Sequence, residues 1–172
     1  MGDTAAEGIR FVVPIGVPLG VQPVVVNNNG RVFRGFVNIV AAQPDIFSST
    51  GDAGGEAIVC NVTNPALAGC VPGPFSLTSS NGTTTVPTVI EIHLTGVRGE
   101  TTAETSVAIG STNITPTSVR SNTSNFGFDL ITLTLPSALP VGTHTVIVTV
   151  TKGSVVTRSR PAASAPTITI VP

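Results

Sequence analysis

The sequence predicts an all-β sandwich, and three observations carry the prediction. Apolar residues make up 41% of the 172 and charged residues only 10%, with Val, Ile and Thr prominent. That composition suits half-buried pleated strands and is too apolar for disorder. Short runs alternating apolar and polar residues recur along the chain, separated by Gly, Pro and Asn, which is the spacing of a sandwich. Finally, one unit of strand, prolines, glycine and strand occurs twice. No segment reads as a helix.

The later copy of that unit, residues 128–150, is the clearer one. Leu133 and Leu135 share one face and Thr132 and Thr134 the other, the two-residue period of a half-buried strand. Pro136 ends the strand because it has no N–H for a ladder. Pro140, Val141 and Gly142 turn the chain, and a second strand follows over 143–151. In the earlier copy Phe11 stands for Leu133, Val13 for Leu135, Pro14 for Pro136, Pro18 for Pro140 and Gly20 for Gly142. Val24, Val25 and Val26 stand for Val146, Ile147 and Val148, all at one offset of 122 residues. Val32 then matches Val155 after a slip of one residue.

In chain order, residues 1–8 are small and polar, expected as a flexible N-terminus or tag. Residues 9–47 form a smaller, partial β unit: a strand over 9–13 stopped by Pro14, a strand over 21–27, and a return strand over 31–41. The hairpin between the last two turns at Asn27-Asn28-Asn29-Gly30, residue types that tolerate positive φ. Residues 48–85 read as a connector with one strand candidate at 57–62, a loop between Cys60 and Cys70, and a polar run over 79–85. Residues 86–172 read as a complete sandwich. Its strand over 88–94 points Ile90, Ile92 and Leu94 inward and Glu91 and His93 outward; the next, over 105–109, points Val107 and Ile109 inward. Strands over 114–119, the later copy entered through Phe126 or Phe128, a hairpin return at 154–158, an excursion at 160–166 and a last strand at 167–171 complete it.

Charge and motifs narrow the function classes. A net charge of -1 with one lysine and seven scattered arginines provides no basic field for nucleic acid or an anionic membrane. No apolar run approaches the roughly 18 residues of a membrane span. Trp and Tyr are absent, which argues against an aromatic sugar platform. There is no Gly-x-Ser-x-Gly, no Walker loop, no Gly-x-Gly-x-x-Gly and no His-Glu-x-x-His. His93 and His144 could each pair with a serine and an acid, but solvated surface histidines are the plainer reading; Glu91, Glu100 and Glu104 could supply a carboxylate pair, but no aromatic cleft accompanies them. Asp45, Asp52 and Glu56 lie near glycines but miss the EF-hand spacing, so no metal and no cofactor is expected. Cys60 and Cys70 admit a metal pair, a redox pair, two free thiols or a structural disulfide; the histidines are distant in sequence and the spacing is not Cys-x-x-Cys, which favours the disulfide. Asn61, Asn81, Asn113 and Asn122 fit the N-glycosylation pattern, which arises by chance in a Thr-rich chain.

Ile9-Arg10-Phe11-Val12-Val13-Pro14, then Pro18-Leu19-Gly20 and Val24-Val25-Val26, are followed by Ala42-Gln43-Pro44-Asp45-Ile46-Phe47, Asn64-Pro65-Ala66, Thr95 to Gly99 and Val107-Ala108-Ile109-Gly110. In this order the motifs resemble a C-terminal domain family of large secreted bacterial proteins, abundant in acidobacteria, made of tandem immunoglobulin-like modules of undefined biochemical role. The resemblance covers residues 9–171. It implies an immunoglobulin-like, Greek-key sandwich preceded by a partial immunoglobulin-like unit. Arg10 departs from the usual Asn, the cysteine pair is not part of the pattern, and the early strands of the family's first module are missing.

Half a sheet leaves an apolar face and an unpaired edge. Phe11, Val13, Val24, Val26, Val32 and Phe36 are therefore the candidate residues for strand pairing, with a second copy, a neighbouring chain or the second module as partner. The expected function is a non-enzymatic structural or adhesive module, secreted or at the cell surface. A carbohydrate-binding module is the alternative.

Overall fold

The computed structural model describes residues 11–14, 16–50, 55–67, 69–124 and 127–172. Expectations for residues 1–8, Ile9, Arg10, Asp52 and Phe126 lie outside them. The protein is all-β: β1 (Gly20–Asn28), β2 (Arg31–Ile39), β3 (Asp45–Ile46), β4 (Val59–Asn61), β5 (Phe75–Ser76), β6 (Thr78–Ser80), β7 (Thr85–Pro87), β8 (Val89–Thr95), β9 (Thr105–Ile109), β10 (Thr112–Ile114), β11 (Ser118–Ser121), β12 (Asp129–Thr134), β13 (Gly142–Lys152), β14 (Val155–Arg158) and β15 (Thr167–Val171). The only helical turn among the described residues is a 3-10 turn at Ala162–Ser164.

Two sheets pack face to face. One has the order β11-β12-β8-β3, with β4 also on β8; the other has the order β10-β9-β13-β15-β5, with β14 also on β13. The pairing is antiparallel except for β15 with β5. From β8 onward the chain crosses between sheets after β8, after β10 and after β12, so β8 and β12 are neighbours in one sheet and β9 and β13 in the other. This distribution is consistent with an immunoglobulin-like sandwich, whose sheets carry strands A-B-E-D and C-F-G.

Parity decides the core. Ile90, Ile92 and Leu94 of β8 are fully buried, as are Val107 and Ile109 of β9, Ile131 and Leu133 of β12, and Val146 and Val148 of β13. Each alternates with a half-buried or exposed neighbour on the outer face, except at Asp129-Leu130-Ile131, where all three are buried. Leu135 lies beyond β12 but donates its N–H to the Thr88 carbonyl at 2.8 Å and stays in the core.

Three elements differ from expectation. The stretch 114–119 is not one strand: Thr112–Ile114 belongs to one sheet and Ser118–Ser121 to the other, with Pro116 in the crossing. Residues 48–85, read as a connector, supply β4 to one sheet and β5 to the other, and their Val59 and Phe75 join the core; Ala42 and Ile46, from the end of the 9–47 stretch read as a separate unit, join it too, with β3 on β8. These strands hold two or three residues each, too short to display a period. Residues 11–13, expected as part of a strand, carry no ladder: among the described residues no strand pairs with them as β8 pairs with their counterparts in β12.

Candidate interaction surface

The earlier copy folds as an isolated two-stranded hairpin. Asn29 and Gly30 take φ of 48° and 90°, the two consecutive positive values that a twist-matched two-residue turn demands. The Asn27 side-chain carbonyl accepts the Gly30 N–H at 2.9 Å, and Asn28 closes against Arg31. The register from Gly20↔Ile39 to Asn28↔Arg31 sorts the side chains. Gln22, Val24, Val26, Phe33 and Val37 share one face; Val21, Pro23, Val25, Val32, Arg34 and Phe36 share the other. Of the six candidate residues, Val24 and Val26 therefore lie opposite Val32 and Phe36, while Phe11 and Val13 lie outside the hairpin. Phe36 is 78% exposed and Phe11 60%.

Among the described residues β1 pairs only with β2. In a two-residue hairpin the closing pair exchanges hydrogen bonds and the pattern alternates from there. Val21, Pro23, Val25 and Asn27 thus direct their backbone groups to the open side. The corresponding edge of β13 is occupied: Ile147 pairs with Ala108 and Thr149 with Ser106 of β9. Pro23 stands at the position of Thr145, whose carbonyl accepts the Gly110 N–H at 2.9 Å. A proline keeps that acceptor and loses only a donor. β1 carries no charged residue, so Pro23 is the one guard on this edge, and the N–H groups of Val21, Val25 and Asn27 stay open.

At the base of the hairpin lies a cleft of about 660 Å³, lined by Phe11, Val12, Val13 and Ile39 on one side and by Gly96, Arg98, Glu100, Asp129 and Lys152 on the other. Gly96 has φ of 80°, and a Cβ there would strike the Gln43 backbone, which donates its N–H to the Gly96 carbonyl at 3.0 Å. The charges are spent within the fold. Asp129, 2% exposed, accepts the Val97 N–H at 3.0 Å and faces Arg98 Nε at 3.4 Å. Lys152 Nζ donates to both Glu100 oxygens at 3.0 Å, which holds its ammonium above the usual range. Thr101 donates its hydroxyl and N–H to Glu104 and holds that carboxyl below its usual range.

The remaining candidates are dispersed. Cys60 and Cys70 form a disulfide with Cα atoms 4.9 Å apart. His93 Nε2 lies 3.5 Å from Cys60 Sγ and 3.6 Å from Glu91, whose other oxygen accepts Arg120 Nη2 at 2.6 Å. His93 is thus half-buried rather than solvated. His144 is half-buried too, its Nε2 2.7 Å from the Pro140 carbonyl. Asp45 is held by Arg160 at 2.7 and 3.1 Å, and Glu56 sits at a bridge to Thr167. No group of three or more His, Cys, Asp or Glu among the described residues is arranged to hold a metal. Asn61, half-buried, donates its amide to Ser79 at 2.9 Å, whereas Asn113 is exposed; Asn81 and Asn122 are half-buried in turns. Asp129 escaped the sequence reading, although it shares the parity of Ile131 and Leu133 and so had to face inward.

The chain matches no known protein-family model, no curated protein and no solved structure.

Proposed function

We propose that this chain is a non-enzymatic extracellular module, structural or adhesive, that assembles by adding a strand to the open edge of β1. The observation that carries the reading is the hairpin β1–β2, whose first strand repeats the sequence of the buried strand β13, yet which exposes Val21, Val25, Phe33 and Phe36 and among the described residues has no strand paired to its outer edges. A two-stranded ribbon is marginal alone, so its backbone edge and apolar faces favour a partner strand. That partner is a second copy or a neighbouring chain. The disulfide supports an oxidising compartment, and with the Lys-poor, Thr-rich surface it supports a secreted or cell-surface location. The ordered motifs from Phe11 to Gly110 support kinship with the tandem immunoglobulin-like family named above.

Light scattering and electron microscopy across a concentration series test the reading. Assembly should grow with concentration, and Val25→Pro should suppress it, because that change removes an outward N–H without touching the β1–β2 bonds. A monodisperse monomer throughout, or assembly indifferent to Val25→Pro, would sink it.

A further inference from the structure

We infer that the Cys60–Cys70 disulfide is a directional thiol-exchange site, with Cys70 the sulfur that a small external thiol captures. The two ends of the bond differ. Cys60 is 3% exposed on β4, whereas Cys70 is exposed. Cys70, and not Cys60, lines a groove of about 330 Å³ together with Glu56, Pro72, Pro74 and Phe75. Access therefore selects Cys70 as the electrophile. The other end is equipped to leave. His93 Nε2 lies 3.5 Å from Cys60 Sγ, and the facing groups on neighbouring strands are Glu91 at 3.6 Å from that nitrogen and Arg120 beyond it. Cys70 Sγ has a weak contact of 3.8 Å with the Val59 carbonyl and no basic side chain.

The step balances as an exchange. A thiolate attacks Cys70 Sγ, the Cys60–Cys70 bond breaks, and its electron pair departs on Cys60 Sγ. A proton delivered through His93 Nε2 neutralises that sulfur. The thiol is oxidised into a mixed disulfide on Cys70, and Cys60 is reduced to a thiol. Exchange depends on which sulfur is reached and on how readily the other leaves, and both favour the same direction here. The Asn61 N–H to Val71 carbonyl bond, 2.8 Å, still ties the loop ends once the sulfurs part. Opening therefore frees the loop over 62–70 rather than the sandwich.

Reduced glutathione tests the inference on the full native chain. After acid quenching, peptide mapping should place the glutathione adduct on Cys70 over Cys60 by more than about tenfold, with Cys60 alkylated only after denaturation. His93→Gln should slow adduct formation several-fold and leave its position on Cys70 unchanged. An adduct on Cys60, an even split, or reaction only in the denatured chain would overturn the assignment, as would a His93→Gln rate equal to that of the parent. None of these outcomes depends on the state of the β1 edge.

Discussion

The strands β1 and β13 are written in matching residues and end in different environments, while the return strands β2 and β14 are both largely exposed. Val146 and Val148 are fully buried; Val24 and Val26, at the same places in the repeat, are half-buried. Leu133 is fully buried while Phe11 is 60% exposed, and Leu135 is 1% exposed while Val13 is 40%. Gly20 and Gly142 both take positive φ, 96° and 133°, so the entry turns demand the same backbone freedom. The difference is the neighbour. β13 has β9 on one edge and the sheet of β8 and β12 across its core face, whereas among the described residues β1 pairs with β2 alone. Alternation says which face seeks burial, and a second sheet must exist for the burial to happen. Each large apolar side chain left in water forgoes about 1.5–3 kcal/mol.

The widest contrast should come from Leu133→Ala against Phe11→Ala. Urea unfolding should show a loss of about 2–5 kcal/mol for the first and under about 0.5 kcal/mol for the second. Equal losses would mean that residue 11 is packed after all. Replacing Cys60 and Cys70 together by serine should lower stability by about 2–3 kcal/mol, through a loop that becomes free in the unfolded chain. Hydrogen exchange should place that loss in the sandwich and leave β1–β2 unchanged.

The two turns offer a finer comparison. Gly30 and Gly153 have φ of 90° and 61°. Alanine at either position should cost about 1–2 kcal/mol locally. Gly153→Ala should lower the unfolding temperature, since β14 is bonded to the sandwich, whereas Gly30→Ala should only quicken amide exchange over 20–39. The smallest effect concerns pH. Lys152 is raised by Glu100, so its contribution is present below the ordinary lysine range and fades as pH rises through the raised value. Unfolding of Lys152→Met and the parent should converge as pH rises past about 10. The Glu104–Thr101 contact works the other way and fades only in acid, as pH falls through the lowered value.

Particular residues show why some of this was readable in one dimension. The period-two runs in β8, β9 and β12 are local, so Ile92, Val107 and Leu133 announced their side from sequence. The turn at Asn29-Gly30 was legible because positive φ restricts residue choice at a single position. Gly20 and Gly142 open strands as the repeat expects, but residues 11–13 form no strand, and the closing pairs Asn28↔Arg31 and Lys152↔Val155 are offset by 124, so the later hairpin is longer by two residues rather than one. β3 and β5 were invisible because two residues have no period. Leu130 faces outward beside His93 yet is 3% exposed, and strand alternation alone does not foretell that burial.

Composition, alternation and turn residues were enough to specify an all-β chain, the inward side of its long strands and a duplicated hairpin, since each depends on steric rules acting over a few residues. Three-dimensional packing settled what those rules cannot reach. It paired Cys60 with Cys70, turned Asp129 toward the Val97 amide and, among the described residues, supplied β13 but not β1 with a facing sheet. Burial is a relation between segments distant along the chain, so identical apolar patterns acquire different energies according to what folds against them.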